Sequence, residues 1–111
     1  MKINSYSFGN IKVDDQNYSS DLIIFKDRIQ NDWWRKEGHR LHKEDLKEVI
    51  IYDPDVLIIG TGKQGIMTVP QSLINFLEDK NITVKVNKTD KAVQLFNKAR
   101  GKKVAALHLT C

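Results

Sequence analysis

Residues 56–65 read VLIIGTGKQG. Four branched apolar residues, Val56–Ile59, run into glycines at 60, 62 and 65, spaced G-x-G-x-x-G. A short run that is apolar on both faces suits a strand buried on both sides of a sheet. The glycine spacing is that of a dinucleotide-binding turn, in which a helix opens inside the motif and its positive end meets the pyrophosphate. Here Gly65 is followed by Ile66-Met67-Thr68-Val69 and only then by Pro70, which suits the first turn of a helix. The helix thus starts too late for a phosphate to meet the glycine amides and the dipole together. The ribose-binding acid expected about twenty residues further on is also missing, since Asn87-Lys88 follow the next strand. Nucleotide binding is therefore not expected. The glycines are read as relieving crowding at a bend, at the carboxyl end of a strand, where open α/β sheets place ligands.

Working outward, the pattern alternates. Leu46, Val49 and Ile50 share one helix face, with His42 as N-cap, Leu41 and Leu46 as a hydrophobic staple, and Asp45 in the first turn. That helix should end before Asp53-Pro54. Pro70 opens a second helix, whose stripe is Leu73, Ile74 and Leu77, and Asn81 ends it. A strand is expected at 82–86. Thr89 is expected to cap a third helix with Ala92, Val93, Phe96 and Ala99 inward and Gly101 as its C′ residue. The last strand is expected at 104–109. The first third reads as short strands at 4–8, 11–13, 21–25 and 28–29, with a Gly9-Asn10 turn and a polar turn at 14–17. Several strands followed by α-β-α-β-α-β imply an α/β domain. Helices pack on a largely parallel sheet, which antiparallel opening strands make mixed.

The chain has 111 residues, 41% apolar and 29% charged, the proportions of one globular domain. Its single cysteine, Cys111, leaves no intramolecular disulfide and points to a reducing compartment. The first ten residues lack the apolar core of a signal peptide, and no apolar run approaches the ~20 residues of a membrane helix. A cytoplasmic protein without membrane partners is expected. The net charge of +4 is uneven, with −3 over residues 1–79 and +7 over 80–111. A basic segment can attract phosphates. Phe96 is its only aromatic, however, and stacking on single strands needs several, so nucleic acid is not the expected partner.

The stretch 33–40, Trp-Trp-Arg-Lys-Glu-Gly-His-Arg, is the most unusual. In an extended segment Trp33 and Trp34 face opposite ways. One can close the core while the other lies near the surface with Arg35 or Arg40 stacked on it. Such a segment is either a recognition surface or a packing corner. His39-x-x-His42 and His108-x-x-Cys111 supply four N/S donors. Residues i and i+3 on a strand point apart, so no metal site is expected, and His108 reads as a hydrogen-bonded residue at a strand end. No nucleophile elbow, H-E-x-x-H or acid/base pair is present, so no catalytic residue and no cofactor are assigned.

WWRKEGHRL-x-x-x-DL (33–46), PDVLIIGTG (54–62), VP (69–70), T-x-x-A (89–92), FN (96–97) and VAALHLTC (104–111) together resemble a small domain family of unknown function. It includes the adipogenesis-associated domain protein and a mitochondrial assembly factor of respiratory complex I. The resemblance spans the whole chain, 1–111, as a single domain. It implies a compact three-layer α/β fold, with a mixed central sheet flanked by helices and an extra β layer from the N-terminal strands. It implies no catalytic residue. It draws attention to Trp34, Arg35, His39, Gly60, Gly62, Thr89 and His108. His42 departs from the pattern, since serine or threonine is expected at that cap.

Three functions follow as expectations. The first is a non-enzymatic protein-binding or assembly module using the Trp-Arg segment and the glycine loop. Its expected binding residues are Trp34, Arg35, His39, Gly60, Gly62 and His108. The second is a binder of a small anionic ligand, or an enzyme, with a pocket beside Gly60–Gly65 where Arg35 or His39 orients the anion. The third is nucleic-acid binding through the basic C-terminal third.

Overall fold

The run Val56–Ile59 lies at the heart of the sheet. The computed structural model describes residues 1–111. Its elements are β1 (Ile3–Ser7), β2 (Asn10–Val13), β3 (Gln16–Tyr18), β4 (Leu22–Ile24) and β5 (Ile29–Gln30). A 3-10 turn at Lys43–Leu46 then runs into α1 (Lys47–Tyr52), followed by β6 (Val56–Thr61), α2 (Gln71–Glu78), β7 (Thr83–Asn87), α3 (Thr89–Lys98) and β8 (Lys103–His108). A five-stranded sheet has the order β5-β4-β8-β6-β7. In it β7, β6 and β8 are parallel, and β4 and β5 are antiparallel. The strands β1-β2-β3 form a separate antiparallel sheet.

Strand periodicity sorts the core into two clusters. Leu57 and Ile59 of β6, with Val104 and Ala106 of β8, face Val49, Leu73 and Leu77 of α1 and α2. Ile58, with Ala105 and Leu107, faces Ala92 and Phe96 of α3 and Ile3, Ile11 and Val13 of the small sheet. The result is the three-layer α/β domain with a mixed central sheet and an added β layer. The connection β6-α2-β7 crosses one face, and β7-α3-β8 returns across the other. The two crossovers therefore share one hand, and the loops leaving β6 and β7 diverge at their carboxyl ends. In open α/β sheets that divergence is where a ligand crevice forms.

Local differences have local causes. The turn at 14–17 is only Asp14-Asp15, both with positive φ (47° and 67°), the geometry of a two-residue hairpin loop. Gln16 and Asn17 instead pair with Val13 and Lys12 as β3. The first hairpin turns at Phe8-Gly9, with Asn10 already in β2. His42 is the N-cap, and its N–H donates to the Asp45 carboxylate (2.8 Å). The first turn there is 3-10 rather than α. Thr89 does not cap α3, because Lys88 occupies that position and the Thr89 hydroxyl makes tertiary bonds instead. Gly101 is not the C′ residue. α3 stops with Ala99 in extended geometry, and Gly101 (φ 83°) belongs to the following turn.

Candidate functional site

At the carboxyl end of the parallel strands, three polar side chains meet in the core. Leu22 pairs with Leu107 across β4 and β8, so the antiparallel register sets Asp21 opposite His108. On its other side His108 pairs with Thr61. Arg35 arrives from the segment between β5 and the 3-10 turn. That segment is pinned at Trp33, whose backbone N–H donates to the Asp21 carbonyl (2.8 Å) and whose indole N–H donates to the Asp45 carbonyl (2.9 Å). Further along, Thr68 N–H donates to the His39 carbonyl (2.8 Å) and Leu41 N–H to the Thr68 carbonyl (2.9 Å). These bonds stitch the Gly38-His39 turn to the far side of the glycine loop.

Arg35 Nη1 lies 2.8 Å from Asp21 Oδ2, and Nη2 donates to the Gly38 carbonyl (3.1 Å). The guanidinium stacks 4.8 Å from the centre of the Trp33 ring. The stacking partner is thus the buried tryptophan and not the exposed Trp34. His108 Nδ1 is 2.7 Å from Asp21 Oδ2 and 3.1 Å from Arg35 Nη2. The ionised carboxylate can only accept, so the imidazole Nδ1–H points to it, and Arg35 Nη2 donates to the Gly38 carbonyl and not to that nitrogen. The Leu109 N–H donates to Asp21 Oδ1 (2.7 Å). The side chains of Arg35 and His108 are 5% and 6% exposed, and that of Asp21 is 18% exposed. Burial alone would raise the Asp21 carboxyl. Hydrogen bonds from His108, Leu109 and Arg35 outweigh it and hold the carboxyl below its ordinary range. Arg35 Nε and His108 Nε2 are buried with no protein partner, and the His39 ring packs edge-on 6.0 Å from that of His108.

The glycines close this end. A Cβ on Gly60 would lie 2.8 Å from both Leu107 Cδ2 and Thr89 Oγ1. Gly62 has φ 106°, and a Cβ there would collide with the Cys111 backbone. The amides of Gly62, Lys63, Gly65, Ile66 and Met67 all donate within the chain. A diphosphate would have to displace these bonds, and α2 begins only at Gln71. Thr89 locks the crevice. It accepts from Gly62 N–H (2.9 Å), and its hydroxyl donates to the His108 carbonyl (2.6 Å).

Residues 3–109 match the model of a protein family of unknown function, DUF498/DUF598. The chain belongs to that family. Among solved structures it is similar to a conserved hypothetical protein from Pyrococcus horikoshii, with 28% identity, all of both chains covered and a TM-score of 0.82. An outer membrane protein from Bartonella henselae is 24% identical over 98% of this chain and 94% of that one, with a TM-score of 0.81. A Bordetella pertussis protein with an Mth938-like domain is 15% identical over 97% and 85%, with a TM-score of 0.67. The likenesses establish the fold.

Of the residues read from the sequence, this DUF498/DUF598 domain gathers Arg35, His39, Gly62 and His108 at one end of the sheet. Gly60 lies deeper, beneath α3. Trp34 points outward, 76% exposed. Asp21 was not foreseen. Its only signal is a lone carboxylate at the head of the apolar run Leu22–Phe25. Both grooves of the domain lie along the 3-10 turn, α1 and α2, and neither borders Gly60–Gly65. His42 pairs with Glu37 rather than with His39. The basic third does not form one patch. Lys88 and Lys91 sit at the start of α3, while Lys102 and Lys103 lie beyond its other end, over Tyr52 and Phe96. No helix is long and apolar enough to cross a membrane.

Proposed function

We propose that this domain is a non-enzymatic protein-binding module of the assembly-factor kind, acting in the cytoplasm, with Trp34 as its anchor. The observation that carries this reading is the setting of Trp34. It is 76% exposed, yet lies between Trp33 and Arg35, whose side chains are buried and bonded on both sides. An exposed aromatic whose chain neighbours are fixed on both sides loses less backbone entropy on docking, and tryptophan is among the commonest interface anchors. The resemblance to a family with an assembly factor points the same way. The test places a photo-crosslinking residue at position 34, and separately at exposed Gln94 on α3, in the native host. A discrete heavier adduct from position 34 alone, with its partner lost on purification of Trp34→Ala, is expected. A protein recovered alone, with no adduct at position 34, would count against the module.

A second reading, a small anionic ligand, draws on Arg35 Nε, a buried N–H donor with no protein partner. Calorimetric titration with phosphate or small carboxylates should then give heat that Arg35→Lys abolishes. The absence of heat would dismiss it.

A further inference from the structure

The two grooves adjoin. The first, about 280 Å³, is lined by Arg40, His42, Lys43, Leu73 and Phe76 among others. The second, about 560 Å³, has Ile50, Ile51 and Phe76 as its apolar part and Lys43, Lys47 and Lys80 around them. Lys43 and Phe76 belong to both. The floor is apolar because Phe76 and Ile50 pack against the core with only part of their surface and leave the rest uncovered. Ile51 is left 77% exposed, because two residues on from buried Val49 it stands on the opposite face of the helix.

The charges are one-sided. Arg40, Lys43, Lys47 and Lys80 border the groove against a single carboxylate, Glu44. None of these four cations is in an ion pair. Lys43 Nζ lies 4.8 Å and Lys80 Nζ 5.1 Å from the centre of the Phe76 ring. Two ammonium groups are thus held over the floor by its aromatic face. Such a trough asks for an occupant with an apolar stripe and acidic flanks. The apolar part is only three side chains, Ile50, Ile51 and Phe76, with Lys43 and Lys80 folded inward over the last, an area that suits one face of a helix better than the broad surface of a bilayer.

We propose that the groove between α1 and α2 is a docking site for an acidic amphipathic helix of a partner protein, with its apolar face on Ile50, Ile51 and Phe76 and its carboxylates on Lys43, Lys47 and Lys80. α2 has eight residues and is about 12 Å long at 1.5 Å per residue, so two to three turns of the partner fill the trough. This is the helix-in-groove mode of recognition. The surface is separate from Trp34 and goes beyond the module proposed above.

The test titrates the ¹⁵N-labelled full chain with a synthetic peptide of about five helical turns, carrying leucines on one face and glutamates beside them. Two controls are run, a twin peptide with lysine for glutamate and phosphatidylserine vesicles. The acidic peptide should shift amides within 43–51 and 71–80, with a Kd on the order of 10 µM. Ile51→Asp and Lys47→Glu, both at exposed positions, should each weaken it about tenfold or more, while the melting temperature stays unchanged. Trp34→Ala should leave it untouched, so the two surfaces fail or succeed separately. The proposal is overturned by no shift at millimolar peptide, by shifts outside the two helices, or by equal binding of the lysine twin. Binding to vesicles with none to the peptide would overturn it as well, in favour of a membrane surface.

Discussion

A carboxylate that is mostly buried and holds an arginine, an imidazole and a backbone amide has more to lose than a surface ion pair. Asp21 bonds Arg35, His108 and Leu109 N–H at 2.7 to 2.8 Å. Asp21→Asn keeps the shape and removes the charge, leaving the Arg35 cation buried opposite a neutral amide. The expected loss is about 3 kcal/mol at neutral pH, the low end for a broken buried pair, because Asp21 keeps some solvent contact. Its folded-state pKa is depressed, so its contribution is complete above the unfolded value of about 3.9. It is lost as pH falls through the lower folded value. The gap between wild type and Asp21→Asn in urea unfolding should therefore close as pH drops below about 4. A gap that stays constant down to strongly acid pH would mean that the carboxylate charge is not what is lost. Sequence reading reached Arg35, His108 and Gly62 through local composition. It missed Asp21 because pairing across β4 and β8 depends on a register between residues 87 positions apart, which no local pattern encodes.

At the scale of elements, one hydroxyl joins three of them. Thr89 is the first residue of α3, accepts from the amide that follows β6, and donates to the carbonyl at the end of β8. Its own N–H donates to the Gly62 carbonyl (3.1 Å). Thr89→Val keeps the volume and strands the Gly62 amide without its acceptor. The expected cost is about 2 kcal/mol, and Thr89→Ser should recover most of it. Hydrogen exchange at Gly62 should quicken by more than at Ile58 or Ile59 in the middle of β6, since the opening is local. Uniform quickening along β6 would instead mean a global effect. The periodic elements were legible in the sequence. β6 is a short apolar run buried on both faces, and α2 and α3 each carry a stripe of period 3.6 that burial enforces. The hydroxyl of Thr89 was read as a cap, because that is the local use of threonine at a helix start. A hydroxyl that joins one helix to two strands has no sequence spacing of its own. β3 was missed for the opposite reason. Gln16 and Asn17 are poor strand residues, recruited by the tight Asp14-Asp15 turn and not by their own preference.

Over the whole molecule, the question is whether the small sheet is a separate unit. The chain is compact, with a radius of gyration of 12.4 Å against roughly 13 Å for its length, and the β1-β2-β3 sheet is tied down twice. The Asn97 side chain exchanges two hydrogen bonds with the Ile3 backbone (2.9 and 2.8 Å). Gly9 N–H and the Tyr6 hydroxyl both donate to the Leu109 carbonyl (2.9 and 2.8 Å). Ile11, fully buried, packs in the same cluster as Ile24 and Ile58. Their strand neighbours Ile23 and Leu57 belong to the opposite cluster, which holds Trp33. The central strands therefore contribute alternate residues to both cores, and the two cores should fail together. Ile11→Ala should cost about 3 kcal/mol, the range for deleting a large buried side chain. The loss should appear equally in far-ultraviolet circular dichroism and, with Trp34 replaced by phenylalanine, in the fluorescence change of Trp33, which sits on the far side of the sheet. Two coincident transitions, both shifted to lower denaturant with the same slope, are expected. If Trp33 kept the wild-type midpoint while the dichroism acquired an earlier step, the N-terminal sheet would be melting alone. The domain would then be two stacked units rather than one three-layer fold.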